Sequence, residues 1–314
     1  MSKLVDYIID EIRESTENEE FDDTVGLTEE EILKFINHGQ TRLHSKIVAQ
    51  HPQIFTEVNV VSVVKDQENY SLDHKAYLSN KVSSIEYSPT GNANDYYPLR
   101  PASLYNRDTG ADGDPDRYIR RGGEFLLIPT PTDSSGSLRI TFIRKIKKLD
   151  KRRAQIKAST TSGSAITNLE VNYIQGATVD STQLSKDSRF SVVDKYGNIK
   201  MENVLLSAID SSASYDATLT VDSSFTFDSD ETVTVGDYIV AGPYTTTHFE
   251  LGDEVERYVH AYSEWKVLKR DSSVDSQEAF MELAEMERDI VDSFADISDD
   301  IVEVPLINDS EDWW

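Results

Sequence analysis

The chain has no cysteine. Disulfide staples, thiolate metal sites and a cysteine nucleophile are therefore excluded. It also has no apolar run near the roughly 20 residues needed to span a bilayer, and its start lacks the basic-then-apolar pattern of a signal peptide. Positive charge is scarce: 31 Lys and Arg stand against 57 Asp and Glu, a formal net charge of −26. Such a chain repels bulk nucleic acid and anionic membranes at long range. The expectation is a soluble protein made in the cytoplasm, without a membrane partner. The hydrophobic share, 38%, is modest but sufficient for a core.

Catalytic and metal-binding patterns are missing as well. The six histidines, His38, His44, His51, His74, His248 and His260, form neither His-x-x-x-His nor His-Glu-x-x-His, and they read as surface or helix-edge residues. Asp108, Asp112, Asp114 and Asp116 share one loop, but a calcium loop needs glycine at position six and glutamate at twelve. Counted from Asp112 those places hold Arg117 and Gly123; counted from Asp108 they hold Gly113 and Ile119. A solvated turn fits better. Arg121-Gly122-Gly123 is far from a phosphate loop, and no Gly-x-Ser-x-Gly elbow exists. Carboxylates are so abundant that no pair stands out as general acid and base. No catalytic residue, cofactor or metal is expected.

What is present is periodic. Leu4, Ile8, Ile9 and Ile12 fall on one helical face, and Glu17–Asp23 reads as an acidic linker. Thr28 with Glu31 is a capping box, flanked by the Leu27/Ile32 positions of a hydrophobic staple. Ile32, Phe35, Ile36, Leu43 and Ile47 continue the stripe of a helix over Thr28–Ala49 until Pro52. From Phe55 the period changes to two, with strands expected at Val58–Val63, Val82–Ser88, Glu124–Ile128 and Leu138–Arg144. They suggest a small antiparallel sheet packed on the helices. From Ala154 to Thr247 serine, threonine, aspartate and glycine dominate. Alternating runs at Leu169–Ile174, Phe190–Val193, Ala217–Val221, Phe225–Phe227 and Thr232–Val240 suggest an inserted β-sandwich or barrel. Helical spacing resumes over Gly252–Arg270 and again after the Asp275/Glu278 capping box. The expected class is α+β. The expected domains are a core over 1–153, an inserted β-rich domain over 154–247, core helices over 248–298, and an extended tail over 299–314.

Two features are less ordinary. Arg139, Arg144, Lys145, Lys147, Lys148, Lys151, Arg152, Arg153 and Lys157 form a basic run interrupted only by Asp150. It reads either as an intramolecular partner of the acidic helices or as a surface facing DNA in a channel or a neighbouring subunit. For the second role the candidates are Arg144, Lys145, Lys147, Lys148, Arg152 and Arg153. The other feature is the tail. Asp271–Trp314 holds fifteen carboxylates and one cation, Arg288, yet ends in two tryptophans. Each indole can bury roughly 150–250 Å², an upper bound of roughly 4–6 kcal/mol before ordering costs. The tail reads as an anchor in a partner's groove through Ile301, Val302, Val304, Leu306, Ile307, Trp313 and Trp314, or as a segment folded back on its own domain.

The order of elements resembles the head-to-tail adaptor (connector) proteins of tailed bacteriophages, which include tail accessory factors and tubular gatekeepers. The pieces are Leu27-Thr-Glu-Glu-Glu-Ile-Leu-Lys-Phe-Ile36, Tyr70-Ser-Leu-Asp73, Tyr97-Pro-Leu99, Pro115-Asp-Arg-Tyr118, Leu126-Leu-Ile-Pro-Thr-Pro131, Leu138–Arg144, and the helix Val255–Tyr262 to Leu268–Asp271. Together they cover about half the chain, and Ala154–Thr247 lies outside the pattern. The resemblance implies a homo-oligomeric ring, typically of twelve subunits, docked under the portal protein at the head–tail neck of the virion. Double-stranded DNA passes through it without sequence specificity, tail or fibre proteins bind it, and a C-terminal extension reaches into portal. It implies neither catalysis nor a cofactor. A receptor-binding or fibre-attachment module is the competing reading, because the serine- and threonine-rich insert suits adhesion. A glycan-active enzyme is a third, opposed by the lack of a distinctive acid/base pair.

Overall fold

A helix over Val5–Ser15 (α1) opens the computed structural model, burying Val5, Ile8, Ile9 and Ile12 as the spacing predicts. The structure describes residues 4–16, 27–77, 82–103, 112–159, 165–173, 184–210, 216–226, 232–270 and 276–299. The 17–23 linker and the 301–314 tail lie outside them. Contacts divide the chain into two compact units, Met1–Ser45 with Ile146–Ser293, and Lys46–Lys145 with Phe294–Trp314.

The second helix, α2 (Glu29–Gln50), begins where the capping box places it. The Glu31 amide donates to Thr28 Oγ1 at 3.3 Å, and the Thr28 amide donates to Glu31 Oε2 at 3.2 Å. Both donors of the box at the helix start are thereby engaged by side chains. Leu27 and Ile32 of the staple are both buried. Pro52 stops the helix, and a single 3-10 turn, Pro52–Phe55, leads into the first strand.

In the unit Lys46–Lys145, eight strands form two four-stranded sheets rather than one. They are β1 (Thr56–Ser62), β2 (Asn69–Ser71), β3 (Val82–Ser88), β4 (Tyr97–Pro98), β5 (Arg100–Pro101), β6 (Arg117–Arg121), β7 (Glu124–Ile128) and β8 (Ser137–Ile143). One sheet has the order β1-β8-β3-β4 and the other β2-β7-β6-β5. Every pairing is antiparallel except β5 with β6. Ile85, Tyr87, Leu138, Ile140 and Phe142 of the first sheet share one core with Tyr70, Phe125 and Leu127 of the second. Alternation along each strand supplies that shared inner face. Ile119, Leu126 and Ile128 form a smaller cluster.

In the unit Met1–Ser45 with Ile146–Ser293, β9 (Lys148–Leu149) leads into β10 (Ala154–Ile156), β11 (Ala165–Tyr173), β12 (Arg189–Val193), β13 (Ile199–Asp210), β14 (Asp216–Thr226), β15 (Tyr238–Ala241) and β16 (Thr245–Thr246). Six of these close a barrel in the order β10-β11-β14-β13-β12-β15. The expectation of a sandwich or a barrel resolves to the barrel. Its interior is filled by Ile166, Leu169, Val171, Phe190, Val192, Met201, Leu206, Leu219 and Ile239, as a small barrel requires. Register shifts at Ile166/Asn168, Phe190/Val192, Val192/Val193 and Leu206/Ala208 supply the local bends that closure needs. The expected strand over Thr232–Val240 is shorter. A turn interrupts it, with Gly236 at φ +98 and the Asp237 amide donating to the Thr234 carbonyl. Phe225 belongs to β14, so no separate strand forms there. β9 and β16 pair in parallel, Lys148 with Thr245 and Leu149 with Thr246, and bring the two ends of the insert side by side.

Two further helices are described, α3 (Asp253–Arg270) and α4 (Ser276–Asp299). Val255, Tyr258, Val259, Tyr262 and Trp265 of the predicted α3 stripe are buried. On α4 the stripe is only partly covered: Leu283, Ile290 and Val291 are buried, while Phe280 stays 45% exposed. Asp275 of the second capping box lies outside the described residues.

Candidate interaction surfaces and their charged supports

The basic run divides by unit. In the unit Met1–Ser45 with Ile146–Ser293, its later members point into a seam lined by α1 and α2. Arg153 is 1% exposed. Its Nε donates to both Asp150 oxygens at 3.0 and 3.1 Å, and its Nη2 donates to Asp150 Oδ1 at 2.6 Å and to Glu30 Oε2 at 3.2 Å. The Ala241 amide of β15 also donates to Asp150, at 2.7 Å. One guanidinium thus ties the first turn of α2 to the loop before β10, and the same carboxylate reaches β15. Burial opposes the Arg153 charge, but Asp150 and Glu30 outweigh it and raise its pKa above the ordinary value. Burial would likewise push the Glu30 carboxyl up, yet Arg153 and Lys151 hold it below the usual carboxylate range. Such bidentate, charge-assisted bonds suit arginine's planar fork.

The neighbouring cations follow the same plan. Arg152 pairs with Asp6 of α1 and lies over the Tyr238 ring, 5.3 Å from its centroid. Lys151 bonds Glu29 at 2.7 Å and Glu30 at 3.3 Å. Lys147 lies 3.9 Å from Glu250. The Lys148 side chain is exposed. In the unit Lys46–Lys145, Arg144 lies 3.7 Å from Glu57 and over the Phe55 ring, while Lys145 is exposed and donates to the His74 carbonyl at 3.1 Å. Arg139 pairs with Glu86. Of the six candidates, only Lys145 and Lys148 are exposed.

A second polar cluster joins three helices and carried no signal in the sequence. Glu287 of α4 is buried, and its Oε2 accepts from Arg42 of α2 at 2.9 and 2.8 Å and from the Tyr258 hydroxyl of α3 at 3.3 Å. Burial first, then the Glu287 charge, push the Tyr258 hydroxyl up. Beside it an aromatic line runs Tyr258, Tyr262, Trp265, Phe280, with centroids 5.4 to 6.2 Å apart. Lys266 and Lys269 lie over the Trp265 ring at 4.8 and 5.0 Å. Gly39 of α2 is what lets this line approach, since an added Cβ would sit 2.8 Å from Tyr262 Cδ1.

The tail residues Ile301, Val302, Val304, Leu306, Ile307, Trp313 and Trp314 lie outside the described residues. Asp108 of the acidic loop does too, while Asp114 accepts the Tyr87 hydroxyl at 3.3 Å. Two histidines depart from the expected surface positions: His44 is 1% and His51 9% exposed. His44 lies on α2 beside the buried Leu43, Ile47 and Val48, and His51 sits in the junction between α2 and the 3-10 turn. Among the described residues, no group of three or more His, Asp or Glu could hold a metal ion, and no helix is long and apolar enough to cross a membrane.

No curated protein matches the chain. The SU10 adaptor protein family model matches residues 4–168, a little over half of the chain. The matched stretch takes in α1, the capped α2, both four-stranded sheets, the whole basic run, and the barrel's first strand with the start of its second. The chain belongs to the SU10 adaptor protein family, a phage adaptor-type family.

Proposed function

We propose that this chain is the structural adaptor at the head–tail neck of a tailed phage particle. It forms a ring, twelve-fold by the resemblance, that docks on portal, extends the DNA channel and offers its other face to tail or fibre proteins. The observation that carries this reading is the family match over residues 4–168. The ion pairs of Arg152 and Arg153 brace the subunit internally. Lys145 and Lys148, exposed members of the run, are the ones assigned to passing DNA or to a neighbouring subunit. The tail supplies the portal contact: Ile301, Val302, Val304, Leu306 and Ile307 lie along portal, and Trp313 and Trp314 fill desolvated pockets.

Mixing the chain with purified portal tests this directly. The expected result is stoichiometric rings by electron microscopy, whether or not the free chain forms rings alone. A chain that never co-purifies with portal overturns it, and a trimer in native mass spectrometry favours fibre attachment. Deleting 309–314 is expected to leave circular dichroism unchanged and to weaken portal binding at least tenfold, about 1.4 kcal/mol.

A further inference from the structure

Among the described residues, strand β1 is an edge strand left open in a way that proteins ordinarily avoid. Among the described residues its one ladder partner is β8, in unbroken register from Thr56/Ile143 to Ser62/Ser137. The Arg144 amide donates to the Phe55 carbonyl at 2.8 Å, and the Val63 amide to the Gly136 carbonyl at 2.9 Å. These two bonds set the parity of the ladder. Odd-numbered residues from 55 to 63 bond toward β8, so the amides and carbonyls of Val58 and Val60 are directed off the free edge. Their side chains are 52% and 58% exposed. Edges of this length usually carry lysine, proline or a bulge that blocks pairing. None of these occurs in Thr56-Glu-Val-Asn-Val-Val-Ser62.

We propose that the C-terminal segment Ile301–Ile307 of the same chain adds to β1 as a further strand in the free protein. Three observations select this occupant. The segment alternates in the needed way: Val302, Val304 and Leu306 fall on one side of a strand, and Ile301, Glu303, Pro305 and Ile307 on the other. With the even-numbered residues bonded to Val58 and Val60, the apolar side chains meet across the pair on one face. The same parity turns Pro305, which has no amide hydrogen, away from β1, where the absent donor costs no ladder bond. The opposite parity would place Pro305 against β1 and put Glu303 beside the valines. Finally, α4 from Phe294 onward groups with Lys46–Lys145, the unit that carries β1. A tether of that kind gives a short segment a high effective concentration, so it outcompetes the tail of another molecule.

The inference deepens the adaptor reading and rests on it in one respect: portal, when it binds the tail, draws the segment off β1. Strand pairing itself is tested on the free full-length chain, so its failure leaves portal binding untouched. Because the chain has no cysteine, paired substitutions report without background. Val60→Cys is combined in turn with Val302→Cys, Val304→Cys, Leu306→Cys and, as the parity control, Glu303→Cys. The expected result is an intramolecular disulfide with at least one even-numbered partner and none with Glu303→Cys. Equal cross-linking at Glu303→Cys, no cross-linking at any even position, or products only between molecules overturns the proposal. Hydrogen exchange on the unsubstituted chain gives an independent reading. The Val58 and Val60 amides are expected to exchange about tenfold more slowly than in a chain ending at Asp299. Equal rates overturn it.

Discussion

The Arg153 guanidinium closes on the Asp150 carboxylate three residues before it, at 2.6 Å, with 1% and 3% of the two side chains exposed. Glu30 of α2 completes the cluster. Removing one partner of a buried pair typically costs about 3–5 kcal/mol, because the other charge is stranded. Arg153→Ala is therefore expected to lower the urea midpoint sharply, whereas Lys148→Ala, at an exposed position, is expected to move it by less than about 0.5 kcal/mol. Equal small effects would show that the seam is not buried in solution.

The same seam sets an acid limit. The folded Glu30 carboxyl titrates below its ordinary value of 4.5. Its contribution is complete at neutral pH and is lost as pH falls below about 4.5 through the folded value. The stability gap between wild type and Glu30→Gln is expected to be widest near pH 7 and to narrow as the pH falls below about 4.5, as read by urea unfolding at each pH. A gap that persists unchanged in acid would assign the effect to packing and not to charge.

Arg42, Glu287 and Tyr258 link three helices through one buried carboxylate. Charged hydrogen bonds contribute about 1.5–3 kcal/mol each. Arg42→Ala is expected to cost an amount in that range, because it takes the guanidinium away from a buried carboxylate. Tyr258→Phe, which removes the weaker 3.3 Å bond and leaves the ion pair, is expected to cost less. Urea unfolding of the two variants checks the order of the two costs.

Gly39 lies inside α2, where alanine would normally gain about 1 kcal/mol of helix propensity. Here the new methyl would meet Tyr262 Cδ1 at 2.8 Å and Cγ at 3.1 Å. Overpacking of this kind costs about 1–3 kcal/mol. Gly39→Ala is expected to destabilise the chain, and Tyr262→Ala is expected to restore the helix benefit of Gly39→Ala in a double-mutant cycle. An additive cycle would remove the close approach as the reason for the glycine.

The barrel leaves and rejoins its unit through paired neighbours, β9 and β16. Replacing 154–241 with a short Gly-Ser bridge, with both of these strands retained, is expected to give a soluble chain that still binds portal. A well-folded deletion that loses portal binding would place the barrel at the portal interface.

Local chemistry by itself makes several elements legible. Thr28 and Glu31 mark the start of α2 because a capping box acts over three residues. Val82–Ser88 and Glu124–Ile128 keep a clean strand pattern, and both match the observed strands end to end. β13, the longest strand among the described residues, was not legible. Its inward residues Met201, Val204 and Leu206 are spaced three and then two apart, because the ladder slips beside Asn203, which sits at φ +56. An extra residue in one strand breaks the period of two that alternation relies on. β6 was hidden by its charge, since Arg117-Tyr-Ile-Arg-Arg121 offers few apolar residues to count.

By itself the sequence determined the α+β class, the capped start of α2, the basic run, the acidic tail with its two indoles, and a β-rich stretch that could close or remain a sandwich. Closure of the barrel was decided only by the pairing of β10 with β15, whose partners Ala154 and Ile239 are 85 residues apart. Tertiary structure likewise turned Arg153 inward onto Glu30 and joined Arg42 to Glu287 across 245 residues. Short-range patterns record propensities over one or two turns of chain. Whether a cation faces solvent or a buried carboxylate depends on desolvation and on partners that only the folded chain brings together.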